Sequence, residues 1–120
     1  MMPKRSLSVA LFALGLLLLT PRLALAHAHL VSSAPAANAT VQGPAVPIEL
    51  RYNSRVDGQH SVLTLVRPDN RTETLTLDHQ SAAMNLNAHA TLQPGHYTLR
   101  WQALSTDGHL TRGEIPFTVR

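Results

Sequence analysis

His96-Tyr-Thr-Leu-Arg-Trp-Gln-Ala-Leu104, entered through Pro94-Gly95, reads as one long strand. Its apolar and polar residues alternate. Successive side chains of a strand point to opposite faces, so a period of two marks an extended segment with one face buried. The same period recurs on both sides of it. Upstream, Val46-Pro-Ile-Glu-Leu-Arg-Tyr52 alternates, with Pro47 near its start. Ser61-Val-Leu-Thr-Leu-Val-Arg67 runs into the turn Pro68-Asp69-Asn70, residues 73–77 form a short Thr/Leu strand, and residues 84–92 alternate through Leu86, Ala88, Ala90 and Leu92. Downstream, Asp107-Gly108 is a turn and residues 113–119 form the final strand. With Leu30-Val31 as an edge strand, about seven short strands and no long helix result. The chain is all-β, arranged as a two-sheet sandwich or a small barrel. No internal repeat or nucleotide-binding glycine loop interrupts this pattern. The Ala-, Pro- and Gly-rich stretch over residues 32–47 is an ordered connection, because too few residues precede it for a second domain.

The first residues have a different composition. Lys4 and Arg5 give a positive start, residues 7–19 are apolar, Pro21 interrupts them, and Ala24-Leu25-Ala26 has the small-residue pattern of a signal-peptidase site. The apolar run is shorter than the roughly 20 residues a bilayer span needs. We therefore expect residues 1–26 to be a cleaved signal peptide and residues 27–120 to be one domain. Lys4, Arg5 and Arg22 account for the whole formal charge of +3; after cleavage seven Arg face seven Asp and Glu. A near-neutral domain without a basic patch excludes nucleic-acid binding of the usual electrostatic kind. Cysteine is absent, which excludes disulfides, thiolate nucleophiles and zinc–cysteine sites. The scattered arginines Arg51, Arg55, Arg67 and Arg71 define no acidic partner site.

All seven histidines fall after the expected cut. Cleavage after Ala26 would leave His27-Ala28-His29 as the new start. His27 would then offer two nitrogens, its α-amine and its ring Nδ1. Far along the chain, Asp107-Gly108-His109 adds a carboxylate and another imidazole. Copper(II) favours nitrogen and oxygen donors in a tetragonal plane, and this set fills one without a thiolate. The amine has a reference pKa near 8, so copper can compete with its proton at neutral pH. Gly108 permits a tight turn that aims both of its neighbours at one ion. Taken alone, the triplet is an ordinary Asp-Gly hairpin followed by an exposed histidine; its pairing with a terminal histidine strengthens the ligand reading. His29 is read as a surface or polar-contact residue rather than a direct ligand. Trp101 packs beside the metal loop, in the core, or both, and Tyr97 packs or hydrogen-bonds near the end of its strand. His60, His79, His89 and His96 lack comparable spacing and are read as structural or surface residues.

These residues carry a resemblance. His27-Ala-His-Leu-Val-Ser-Ser-Ala-Pro35, Pro94-Gly-His-Tyr97 with Trp101, and Ser105-Thr-Asp-Gly-His109 followed by Gly113 and Phe117-Thr-Val119 occur together and in order. The chain resembles the CopC/PcoC family of exported copper-resistance proteins, including its YobA-like members, over almost all of residues 27–120. The resemblance implies a single Greek-key β-sandwich, cupredoxin-like or immunoglobulin-like, in the periplasm. It implies one copper(II) ion per mature chain, held by the His27 amine and imidazole, Asp107 and His109. It also implies work beside a CopD-like inner-membrane protein. Two-site relatives have a methionine-rich copper(I) site; Met84 is the only methionine after residue 26, so the chain looks like the copper(II)-only type. A glutamate common in the family after the first core strand has no match in Tyr52-Asn-Ser-Arg55, and its role is not carried over.

The expected function is therefore copper(II) binding for buffering, resistance or delivery by a soluble, monomeric domain that is not an enzyme. Two alternatives come from other classes. A terminal histidine chelate with a second histidine also resembles the histidine brace of copper-dependent polysaccharide monooxygenases, although Asp107 would fill a coordination position and no aromatic substrate platform is evident. The other alternative is a structural β-sandwich with incidental histidines.

Overall fold

The computed structural model describes residues 27–120; the expected leader lies outside the described residues. Eight strands form two sheets. β1 (Leu30–Ala34), β3 (Ala45–Tyr52) and β6 (Asn85–Thr91) make a three-stranded sheet in the order β1-β3-β6. β2 (Thr40–Val41), β4 (Val62–Val66), β5 (Thr72–Leu75), β7 (Gly95–Leu104) and β8 (Leu110–Val119) make a five-stranded sheet in the order β2-β8-β7-β4-β5. The chain changes sheet on entering and leaving β2, again between β3 and β4, and on entering and leaving β6. β7 is thereby inserted between β4 and β8, which gives the interleaved connectivity of an immunoglobulin-like sandwich. Among the described residues no helix is long and apolar enough to cross a membrane.

Alternation decides which side of each strand is covered. Val46, Ile48, Leu50 and Tyr52 of β3 turn inward, as do Tyr97, Leu99, Trp101 and Ala103 of β7. Leu63 and Leu65 of β4, Leu86 and Ala88 of β6, and Ile115, Phe117 and Val119 of β8 complete one core between the sheets. Burying a large apolar side chain contributes about 1.5–3 kcal/mol. β3 and β7, with eight of the nineteen core residues among those described, therefore carry a large share of the fold's stability. Pro47 is tolerated because the pairing of β1 with β3 stops at Glu49, which leaves no neighbour on that side of the ring. The Tyr97 ring stacks on Phe117 at 5.6 Å, and its hydroxyl donates to the Gln93 carbonyl at 2.7 Å. This pins the turn that feeds β7.

The expected seven strands are all present, with shifted ends. The eighth, β2, lies in the stretch read as an ordered connection. It pairs in parallel with the end of β8, Thr40 with Thr118 and Val41 with Val119. The strand expected at residues 73–77 is observed as Thr72–Leu75, and Leu77 instead bridges to Ala88 of the other sheet.

Candidate metal centre

The beginning of the described chain is tied to the beginning of β8. Ala28 is fully buried, and its carbonyl accepts a 2.8 Å hydrogen bond from the Thr111 hydroxyl. The next residue is clamped on its backbone. His29 N–H donates to Asn53 Oδ1 at 2.8 Å, and its carbonyl accepts from Asn53 N–H at 3.0 Å. With Ala28 drawn inward, His27 and His29 come within 6.5 Å of each other, ring to ring. His27 lies closer to His109: their ring centroids are 4.4 Å apart and the planes nearly perpendicular at 84°. His27 is half-buried, and its Nδ1 is sealed from solvent without a hydrogen-bond partner among the described residues. A buried polar atom left unpaired costs about 1–3 kcal/mol. A neutral imidazole nitrogen in that position is suited to donate its lone pair to a metal ion.

The second half of the site is the turn between β7 and β8. Gly108 adopts φ +92°, and a Cβ there would meet nothing within 4 Å. The backbone conformation, rather than lack of space, calls for glycine. Gly108 N–H donates to the Ser105 carbonyl, and Ser105 N–H to the His109 carbonyl, each at 2.9 Å. Ser105 is buried, and its hydroxyl donates to Asp107 Oδ1. The same Oδ1 lies 3.3 Å from His109 N–H, while Oδ2 faces His109 Nδ1 at 3.1 Å. The Ser105 hydroxyl first, and His109 to a smaller extent, hold the Asp107 carboxyl below the usual carboxylate range. When Nδ1 of His109 carries the proton of that contact, Nε2 keeps its lone pair. A carboxylate that fixes the tautomer and angle of a ligating imidazole is a recurrent feature of metal sites.

The fold thus brings His27 to His109 and Asp107 to His109. Among the described residues no three His, Asp or Glu side chains are grouped closely enough to hold an ion as they stand. His29 is exposed on the flank. The remaining histidines are occupied or separate: His60 with Asp57 at 2.7 Å, His89 with Asp78 at 2.8 Å, and His96 with the Thr118 hydroxyl at 2.9 Å. His79 is exposed in the connection between β5 and β6. Trp101 has a core role. It packs edge-to-face on Tyr52 at 5.4 Å and lies against Gly113.

Three positioning residues escaped the sequence reading. Ser105 had a readable signal, since a serine two residues before an Asp-Gly turn commonly bonds locally. Asn53 and Thr111 had none, because their partners, His29 and Ala28, lie ahead of β1 and are distant in sequence.

A family model described as CopC domain matches residues 30–120. Protein YobA of Escherichia coli K12 is 35% identical over 120 residues, covering 97% of this chain and 96% of that protein. Copper resistance protein C of Pseudomonas syringae pv. tomato is 32% identical and matches over the full length of both. Copper transport protein CutJ of Bacillus subtilis is 28% identical over 86% of this chain, which spans only 20% of that longer protein. The crystal structure of CopC from Methylosinus trichosporium OB3b superposes with a TM-score of 0.72 at 26% identity, over 78% of this chain and 93% of the other. Sequence and sandwich topology agree over the same residues, and the chain belongs to the CopC family.

Proposed function

We propose that this chain is a periplasmic copper(II)-binding protein that buffers the ion or hands it to an inner-membrane partner of the CopD-like kind. After removal of residues 1–26, one copper(II) ion per chain is bound by the α-amine and Nδ1 of His27 and by the imidazole of His109. Asp107 supplies an oxygen or holds His109 in register. The observation that carries this reading is the sealed, unpartnered Nδ1 of His27 beside the His109 ring. It is a nitrogen without a hydrogen-bonding task, next to the one other imidazole that the turn at Gly108 brings up. The names of the relatives support copper as the cargo. That a domain like this one forms a fifth of a longer copper transport protein supports hand-over to a neighbouring unit. Copper is held and released by ligand exchange, so no catalytic cycle is required.

The test is a copper(II) titration of the processed protein followed by EPR, with its first residue established by mass spectrometry. One tight equivalent with nitrogen-rich tetragonal parameters is expected. It should be lost in a form extended at its amino terminus and in His109→Ala. Unchanged binding in both variants, or no specific binding at all, would overturn the reading.

A further inference from the structure

We infer that the end of the sandwich carrying His27 and His109 is a docking face for a protein partner that presents an apolar patch bordered by carboxylates. The inference rests on the proposed copper hand-over for its purpose, but it is drawn from other residues.

The exposed large apolar side chains of the described residues are Val31, Val62, Met84 and Leu110. Single exposed apolar residues are ordinary on any protein surface. Their placement is not ordinary here, because all four lie at one end. Leu110 opens β8 directly after His109, and Val31 is the extra residue of a bulge beside Leu30. Met84 precedes β6, and its carbonyl accepts from Tyr52 N–H at 2.9 Å where β3 ends. Val62 opens β4 next to Ser61, whose hydroxyl accepts from Leu104 N–H at 3.0 Å where β7 ends. The opposite end, where β3 starts and β8 finishes, shows none among the described residues.

Three of the four arginines without a carboxylate partner among the described residues are sorted in the same way; the fourth, Arg120, is exposed just after β8 at the opposite end. Arg67, Arg71 and Arg100 pair with Glu73, Asp69 and Glu114. Arg51, Arg55 and Arg112 pair with no carboxylate among the described residues, and all are exposed at or near the histidine end. Arg55 adjoins the site turn, since its carbonyl accepts from Thr106 N–H at 3.3 Å. Arg112 lies two residues beyond Leu110 and shares with Val62 a shallow groove of about 510 Å³ on the outer face of the five-stranded sheet. The carboxylates nearest the site, Asp57 and Asp107, are each engaged by a histidine. Arginine and methionine are among the residues enriched at interfaces with proteins, and free cations beside apolar side chains complement an apolar patch edged by carboxylates. An anionic membrane is a poorer fit. Three arginines supply only about 1 kcal/mol each at such a surface, and Tyr52, Tyr97 and Trp101 are all buried instead of anchoring at a headgroup layer.

The experiment uses the copper-free protein isolated after export, labelled with ¹⁵N. The probe is a short peptide with leucines between glutamates, and the control is the same peptide with lysines for the glutamates. The expected result is amide shift changes centred on Val31, Arg55, Leu110 and Arg112 for the acidic peptide alone. Affinity should fall by roughly tenfold or more in Arg55→Glu/Arg112→Glu, in Val31→Ser/Leu110→Ser and in high salt. Four results would overturn the inference: equal binding of the lysine peptide, shifts centred elsewhere, indifference to both double variants, or a stronger response of the same residues to phosphatidylglycerol vesicles. Folding of the variants is checked by their unperturbed core amide spectrum. Because the mapping needs no metal, a failed copper titration with successful docking overturns only the copper reading. The reverse pair of results overturns only the docking face.

Discussion

Gly113 sits in β8 opposite Trp101, and a methyl group there has no room. A Cβ on its backbone would fall 2.5 Å from Trp101 Cζ2 and 2.6 Å from Cε2 and Nε1. Carbon atoms prefer about 3.5–4.0 Å. The indole cannot swing aside at little cost, because Tyr52 packs on it edge-to-face and the residue is only 8% exposed. Forcing a group into a packed core costs about 1–3 kcal/mol. Replacing glycine restricts the unfolded chain and returns about 0.4–1 kcal/mol. Gly113→Ala is therefore expected to lose about 1–2 kcal/mol, a fall of about 5–15 °C in Tm for a domain of this size. Urea and thermal melts followed by tryptophan fluorescence measure it through the very side chain that must move, since Trp101 is the only tryptophan. In a Trp101→Phe background the smaller ring leaves space, and adding Gly113→Ala should then cost less than about 0.5 kcal/mol. If the alanine variant melts with the parent, or costs the same with either ring at position 101, close approach to the indole is not what requires glycine.

Three other outcomes follow from single contacts. Thr111→Val leaves the buried Ala28 carbonyl without its hydroxyl partner. It should cost about 1–2 kcal/mol in urea melts and speed hydrogen exchange at the His29 amide; equal exchange in both proteins would show that Thr111 does not secure this segment. Ser105→Ala removes the main cause of the low Asp107 pKa, so the Asp107 carboxyl should titrate at higher pH by carbon NMR, and an unmoved titration would refute the assignment. The sign for stability follows from the depressed value: Asp107's contribution is present above the ordinary carboxylate pKa of about 3.9 and is lost as pH falls through its lower folded value, so Ser105→Ala should shrink that acid-sensitive part. Tyr97→Phe deletes the hydroxyl bond to Gln93 and leaves that carbonyl unmet, which should lower stability by about 1–1.5 kcal/mol in calorimetry without changing copper(II) stoichiometry.

The alternation of β3 and β7 was enough to decide which of their side chains are buried, because a period of two leaves each residue only two faces to occupy. Strand ends were less legible, since the ladder is set by partners rather than by local pattern. β2 was invisible for the same reason. Two residues in an Ala/Pro/Gly stretch have no periodicity, and their pairing exists only because the end of β8 lies alongside. At the site, composition and spacing pointed to His27, Asp107 and His109. The orientation of Asp107 toward Ser105 and His109 is a matter of turn geometry that spacing alone leaves open. The arginines looked scattered because only folding separates Arg67, Arg71 and Arg100, bound to carboxylates, from Arg51, Arg55 and Arg112, gathered at one end.

The bond from Thr111 to Ala28 joins residues 83 positions apart. It makes the site a clasp between the first and last segments of the domain. Closing so long a loop is entropically costly in an unfolded chain, so His27 and His109 meet only after β8 has docked. Before that, the two imidazoles are separate. An ion that bridges both histidines fastens the clasp and stabilises the folded state by mass action. If the proposed copper site is right, loading would protect the chain against unfolding and proteolysis, and loss of the ion would loosen the segment at His27 from β8.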